Sequence, residues 1–347
     1  MDTLDIEDSE ALVAWLKRRG HIGKDETPEL RVLRGGVSNR TVWVGRGGKG
    51  CWVLKQALER LRVETEWRCS ADRIYREAEG MRWLATLAPP GSITNLVFED
   101  RGEHVLGMHA VPEPHSNWKT TLLSGNVGSD ELRKFGQLLG AIHRNAKLAG
   151  SRLRETFADR RYFESLRLEP FYEYTAETVP EAGPFLRELA AETRSIELTL
   201  VHGDYSPKNI LVHRGELVLL DHEVIHWGDP MFDVGFAVAH LLCKAHHVRS
   251  LRETFAGAAL LFWEHYRFST CGCLAPGDSA RRAARHAMAC LLARAAGRSP
   301  VEYLGADARK RQVAVVASLV QRPPATLLEL TDAFLEGLNR SEQTANP

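Results

Sequence analysis

Three oxygen-bearing side chains fall close together in the stretch 200–235: Asp204 within His202-Gly203-Asp204, Asn209 shortly after it, and then Asp221. Each stands where an apolar run stops. Leu200-Val201 precedes Asp204, Ile210-Leu211-Val212 follows Asn209, and Leu217-Val218-Leu219-Leu220 precedes Asp221. A hairpin through Arg214-Gly215 would pair the last two runs and carry Asp221 back toward Asp204 and Asn209. Two carboxylates and one carboxamide at a single edge suit a hard divalent cation such as Mg²⁺, with room left for phosphate oxygens and water.

A second concentration lies upstream. Gly35-Gly36 separates two strand-like runs, 30–33 and 41–44, and Ser38 and Asn39 follow directly. A glycine pair between strands lets backbone N–H groups approach phosphate oxygens closely, and Ser38 and Asn39 can donate further bonds. There is no G-x-x-x-x-G-K-[ST], so the loop is not of the Walker type. Lys55 ends the next strand-like run, 51–55. The helical pattern 72–87, with Ile74, Ala78, Met81, Leu84 and Leu87 on one face, offers Glu77 as its best carboxylate partner, in competition with Glu66 and Glu79.

The elements around these groups are readable in outline. Residues 9–20 form a helix stopped by Gly20, and Pro89-Pro90-Gly91 closes the helix 72–87. A strand pair, 96–99 and 104–108, turns at Asp100-Arg101-Gly102. The proline-stiffened crossing 109–114 then marks a boundary between a first lobe, 1–108, and a mainly helical second lobe, 115–340. In that lobe 129–146 is a core helix, with His143 and Arg144 at its end reading as surface or capping residues. The aromatic segment 162–174, interrupted by Pro170, suits the frame of a substrate pocket, though core packing of an inserted helical hairpin is the preferred reading. Pro184 opens the next helix, and Asp229-Pro230 caps and starts the one after the Asp221 loop. Helices over 251–269, 279–296, 306–320 and 325–338 complete the lobe. The tail from Asn339 is polar and expected to fray, with 341–347 flexible.

Composition narrows the partners. Lys plus Arg and Asp plus Glu are 45 each, which gives no global bias toward nucleic acid or membrane. The acidic start MDTLDIEDSE is not a signal peptide, and no apolar run reaches membrane-spanning length. The six scattered cysteines read as reduced thiols of a cytoplasmic protein. Cys271, Cys273, Cys243, His246 and His247 match no common zinc module.

In order and spacing, His202-Gly203-Asp204 with Asn209, followed by Asp221, resembles the catalytic and metal loops of kinase-fold small-molecule phosphotransferases. These include the aminoglycoside phosphotransferases and the choline, fructosamine, homoserine and methylthioribose kinases. Compared with protein kinases, Gly203 replaces an arginine and Asp221-His222-Glu223 replaces D-F-G. Around Val53-Leu54-Lys55, Arg73-Ile74 and Glu77 the likeness is to methylthioribose kinases.

The resemblance implies an α+β, two-lobed protein-kinase-like fold that uses ATP and Mg²⁺. It implies Asp204 as base, Asn209 and Asp221 as metal ligands, and Lys55, held by a helix glutamate, on the phosphates. It further implies adenine contacts at the hinge backbone from about Met108 to Val111, with Met108 and Ala110 singled out, and support of the catalytic loop by His202 and Asp233. Lys208 and Glu223 are candidates for contact with phosphate or substrate. The short interval from Asp221 to Asp229 points to a small-molecule acceptor. Between 249 and 300 arginines outnumber acidic residues, which favours a neutral or anionic acceptor such as a sugar over an aminoglycoside. An aminoglycoside-modifying phosphotransferase and a non-catalytic nucleotide-binding module are the alternatives. Oligomeric state is not legible.

Overall fold

The computed structural model describes residues 4–34, 36–63, 66–274 and 277–344. The amino-terminal part is a five-stranded antiparallel sheet in the order β1-β2-β3-β5-β4. Its strands are β1 (Glu29–Val32), β2 (Asn39–Gly45), β3 (Cys51–Ala57), β4 (Leu96–Asp100) and β5 (Val105–His109). Alternation along β3 sends its side chains to opposite faces. Trp52 and Leu54 pack with Val42, Val44 and the helix Ser9–Arg18, through its Leu12, Trp15 and Leu16. The other face carries Val53 and meets Ile74, Ala78 and Met81 of the helix Arg73–Leu87. Lys55, on the same side as Val53, is thereby set between sheet and helix. Asp8 caps the first helix by accepting from the N–H groups of Glu10 and Ala11, as an N-cap aspartate does.

The second part is a helical lobe around one large apolar core. Its central pair is Ser129–Ala149 against Arg252–Thr270. The pair approaches closely because Gly136 and Gly140 face it. A Cβ on Gly136 would lie 2.5 Å from the Phe262 carbonyl oxygen, and one on Gly140 would lie 2.8 Å from that of Tyr266. The buried helix Pro230–His247 packs on Ser279–Ala296. Two small sheets lie at the junction with the first part. One holds β6 (His115–Asn117), β8 (Ile210–His213) and β9 (Glu216–Leu219); the other pairs β7 (Thr199–Val201) with β10 (His226–Gly228).

Three expectations are corrected. His143 is neither surface nor cap. It is fully buried and bonds Asp233 (3.1 Å) and Tyr266 (3.1 Å), while Arg144 donates to the Ser269 carbonyl (2.7 Å). The segment 162–174 is largely a wide π-helix, Glu164–Glu173, with Pro170 inside it. The last helix runs Leu327–Thr344, so the part of the expected tail that lies within the described residues is helical. Glu342 anchors it by accepting from Arg252 at 2.9 Å. Residues 345–347 lie outside the described residues.

Candidate active site

β7 ends at Val201, just before His202, and the chain turns sharply through Gly203 at φ +80°. A Cβ there would lie 2.9 Å from Val224 Cγ2, so both the backbone angle and the space call for glycine. The turn is held from below by Asp233, in the first turn of the helix Pro230–His247. One carboxylate oxygen accepts the His202 N–H (2.7 Å) and the other the Gly203 N–H (2.7 Å). His202 Nδ1 accepts from the Asp204 N–H (3.2 Å), which leaves Nε2 to donate to His222 Nδ1 (3.1 Å). Burial pushes both histidines below the ordinary imidazole value, so they serve as neutral struts.

Asp204 itself is bonded by Arg167 (3.0 Å) and by the side-chain amide of Asn209 (2.7 Å). The same amide nitrogen donates to the Asp204 carbonyl (3.0 Å). Burial alone would raise the Asp204 carboxyl, but the charges of Arg167 and Lys208 outweigh it and hold the group below its usual value. Asp204 is therefore ionised throughout the neutral range.

The hairpin β8–β9 returns the chain to Asp221, which adopts the left-handed region at φ +69°. Strained residues of this kind recur at functional sites. Lys55 Nζ bridges Asp221 (2.9 Å) and Glu77 (2.6 Å). The competing glutamates are engaged elsewhere, Glu66 with Arg68 (3.0 Å) and Glu79 with Arg82 (3.0 Å). Burial would lower the Lys55 ammonium, but Asp221 and Glu77 carry it well above the usual lysine value. Glu77 is pushed up to about 7 by burial; Lys55 opposes this, while Asp221 and Glu223 add to it. Oxygens of Glu77, Asp221 and Glu223 lie within 4.8 Å of one another around this one ammonium.

Glu223 ties this centre to the glycine loop. It accepts from Asn39 Nδ2 (3.2 Å) and from Arg73 Nε (3.0 Å). Arg73 is fully buried and also donates to the carbonyls of Ser38, Leu58 (2.9 Å), Cys69 (3.2 Å) and Ser70 (3.0 Å). Ser38 Oγ accepts from Asn39 (3.1 Å). Gly35 lies outside the described residues.

These groups surround one cavity of about 660 Å³. Asp204, Lys208, Asn209, Asp221, Glu223 and Lys55 line it, as do Gly36, Ser38, Asn39, Met108 and Ala110. Glu77, His202 and Asp233 stand behind the wall. Lys208 is exposed at the rim. The wall also holds Arg167 and Phe171, which the sequence did not single out, and Arg294, which it offered only as one of the arginines of 249–300. The aromatic segment 162–174 held the only hint of the first two.

The arginine excess after residue 249 is largely consumed inside the fold. Arg282 pairs with Asp229, Arg285 with Glu188 (2.7 Å), Arg252 with Glu342 (2.9 Å) and Arg298 with Glu169 (2.7 Å). Of that stretch's arginines, Arg294 lines the cavity.

Comparison with known proteins agrees with this arrangement. No curated protein sequence matches the chain. Among solved structures it is similar to the amicoumacin kinase hAmiN, solved with AMP-PNP, Ca²⁺ and Ami, at TM-score 0.60 and 14% identity, covering 92% of this chain and 95% of that one. It is also similar to a choline/ethanolamine kinase family protein from Mesorhizobium loti, at TM-score 0.57 and 15% identity, covering 95% and 99%. The macrolide 2'-phosphotransferase MphH from Brachybacterium faecium superposes at TM-score 0.52 and 18% identity, covering 91% and 99%. At these identities the likeness is one of fold, a two-lobed kinase-like one. Residues 29–268, more than half of the chain, match the phosphotransferase enzyme family APH. The chain belongs to that family and is an enzyme of the small-molecule phosphotransferase class.

Proposed function

We propose that the protein moves the γ-phosphate of ATP to a hydroxyl of a small molecule, with a sugar or sugar-like metabolite as acceptor. The observation that carries this reading is the ionised Asp204, fixed by Arg167 and Asn209 on the same cavity that holds the Lys55–Asp221 pair. In this reading Asp204 accepts the hydroxyl proton as the acceptor oxygen bonds to the γ-phosphorus. The bond from that phosphorus to the bridging oxygen breaks, and ADP leaves with the electron pair. Lys55, held by Glu77, steadies the phosphate tail beneath the loop 36–39, and Lys208 lies at the rim where the transferred group would pass.

The residues fit a Mg²⁺ ion. The Asn209 nitrogen is committed to Asp204, which leaves its oxygen as a ligand beside Asp221. Glu77 Oε2 is buried without a partner, and Glu77 and Asp221 share the charge of a single lysine with Glu223 close by. Bound there, Mg²⁺ would neutralise phosphate charge. The crossing 109–114 would act as the hinge between lobes 1–108 and 115–340. At the adenine edge Ala110 N–H already donates to the Cys51 carbonyl (2.9 Å) and His109 N–H to that of Asn95 (2.9 Å). The Val111 N–H, with no partner among the described residues, then replaces Ala110 as donor. No helix among the described residues is long and apolar enough to cross a membrane; use of ATP favours the cytoplasm.

The second reading keeps the chemistry and changes the acceptor to an aminoglycoside. Structural similarity to antibiotic phosphotransferases supports it, and the cationic wall residues Arg167, Lys208 and Arg294 oppose it. A coupled ADP-release screen over sugars, amino alcohols and aminoglycosides separates the two. Release with sugars or related metabolites is expected. Release with aminoglycosides alone would transfer the reading to the second acceptor class, and none with any acceptor would leave a nucleotide-binding module.

A further inference from the structure

The cavity wall contains a charge that no carboxylate bonds directly, although Asp204 acts on it from across the wall. Arg294, on the helix Ser279–Ala296, is 9% exposed and lines the cavity. Its Nε and Nη2 both donate to His240 Nε2 (3.2 Å each), and Nη1 donates to the Ser299 carbonyl (2.6 Å). None of these acceptors is a carboxylate. Most other arginines of the carboxy-terminal helices have one. His240 is held neutral, its imidazole pushed well down by burial and then by Arg294 itself.

Behind Arg294, Lys244 is fully buried and bonds the His240 carbonyl (3.1 Å); burial pushes it down to about 7. A lysine can shed its proton in such a place, whereas a guanidinium cannot. A sequestered, permanently charged group with no carboxylate in hydrogen-bond contact is costly, and a bound anion relieves that cost.

The position of this charge is defined by Phe171. The Arg167 guanidinium lies 5.7 Å from the centre of its ring and the Arg294 guanidinium 5.2 Å. Arg167 in turn holds Asp204. From the proposed base the wall therefore runs Arg167, Phe171, Arg294. The π-helix Glu164–Glu173 supplies the first two. Nε and Nη2 each give one N–H to His240, and Nη1 gives to the Ser299 carbonyl and, at 3.4 Å, its hydroxyl, so the second Nη2 N–H remains for an acceptor in the cavity. A charged N–H donor of this kind bonds a carboxylate or phosphate oxygen strongly.

We propose that the phosphate acceptor is itself an anion: a hydroxyl-bearing small molecule whose carboxylate or phosphate group docks on Arg294 while its hydroxyl faces Asp204. The proposal rests on the phosphoryl-transfer reading above and names its substrate class. It excludes polycationic antibiotics and makes a neutral sugar the poorer substrate.

The test uses acceptors matched except for charge: glycerate against glycerol and methyl glycerate, gluconate against glucitol, and ribose 5-phosphate against ribose. ADP release is measured with the wild type, Arg294→Gln and Arg294→Lys, with circular dichroism to establish that each variant is folded. The anionic members are expected to be favoured at least about tenfold in kcat/KM. Arg294→Gln should abolish that preference through KM, and Arg294→Lys should retain part of it. The carboxylate and phosphate arms identify which oxyanion is used. In parallel, gluconate and ribose 5-phosphate should raise the melting temperature of the Mg·AMP-PNP-loaded wild type and not that of Arg294→Gln.

Turnover of neutral or cationic acceptors in preference to anions would overturn the proposal and leave the kinase reading standing. Equal anion-induced shifts in wild type and Arg294→Gln would overturn it whether or not turnover is seen. Shifts that depend on Arg294 without ADP release from any acceptor would instead place the fault in the transfer reading and uphold the anion site.

Discussion

Asp233→Asn changes one atom in the support of the loop that carries Asp204, and its consequence can be worked from the hydrogen bonds. The carboxylate is fully buried and accepts from the N–H of His202, the N–H of Gly203 and His143 Nε2. An amide in its place keeps one oxygen. If that oxygen stays toward His202 and His143, the new NH₂ confronts the Gly203 N–H across 2.7 Å. One bond to a charged acceptor is lost, worth about 1.5–3 kcal/mol, and two buried donors face each other, adding a desolvation cost of about 1–3 kcal/mol. The expected loss is about 2.5–6 kcal/mol, a large part of the roughly 5–15 kcal/mol typical of a folded domain.

The damage falls on the turn that aims Asp204. The folded fraction of the variant should therefore turn over about 10²-fold more slowly, with little change in KM for ATP, since misplacement of about 1 Å has effects of that size. Urea unfolding followed by tryptophan fluorescence reads the first effect, and steady-state kinetics under folding conditions read the second. An unchanged unfolding midpoint together with kcat within twofold of wild type would refute the reasoning.

Three further outcomes follow from other parts of the structure. Gly203→Ala places a methyl group against Val224 at a positive φ and should cost about 2–4 kcal/mol, read by the same urea titration. Burial pushes His226 down to about 3 and His246 to about 4, so the native chain keeps both neutral while the unfolded chain protonates them near 6.5. Their contribution is intact above about pH 6.5 and lost as pH falls toward 4, by about 1.4 kcal/mol per pH unit for each; a flat urea midpoint between pH 7 and 5 would contradict this. Lys55→Met leaves Glu77 and Asp221 without their shared cation and crowded against Glu223, which Arg73 pairs. Its melting temperature should fall and recover in part with MgCl₂, more than the wild type gains, while KM for ATP rises.

The site was legible where its geometry is local. A hairpin of a few residues fixes where Asp221 falls relative to Asn209, so spacing alone brings the two together. Strand alternation placed Lys55, but three glutamates stayed open because the rotation of the helix about its axis is set by packing. Ile74, Ala78 and Met81 turn inward, taking Glu77 with them and leaving Glu79 beside Arg82. The parts that were not legible depend on contacts between distant residues. His143 meets Asp233 across 90 positions, and Arg73 reaches Glu223 across 150. No short motif marks either. The π-helix obscured Arg167 and Phe171 for a different reason, because its wider turn does not follow the 3.6-residue period used to find helical faces. The arginine excess could not say which of its members matters, since most of it pairs internally while Arg294 faces the cavity.

The central claim is that Asp204 is the base for phosphoryl transfer to a small-molecule hydroxyl. It is tested most directly by Asp204→Asn, an isosteric change that leaves the carbonyl contact of Asn209 in place. Phosphoryl transfer is measured with saturating acceptor, and nucleotide affinity by calorimetry with Mg·AMP-PNP. The account predicts kcat lower by about 10²–10⁴-fold with nucleotide affinity within a few-fold of wild type. Transfer at the wild-type rate by Asp204→Asn would contradict it.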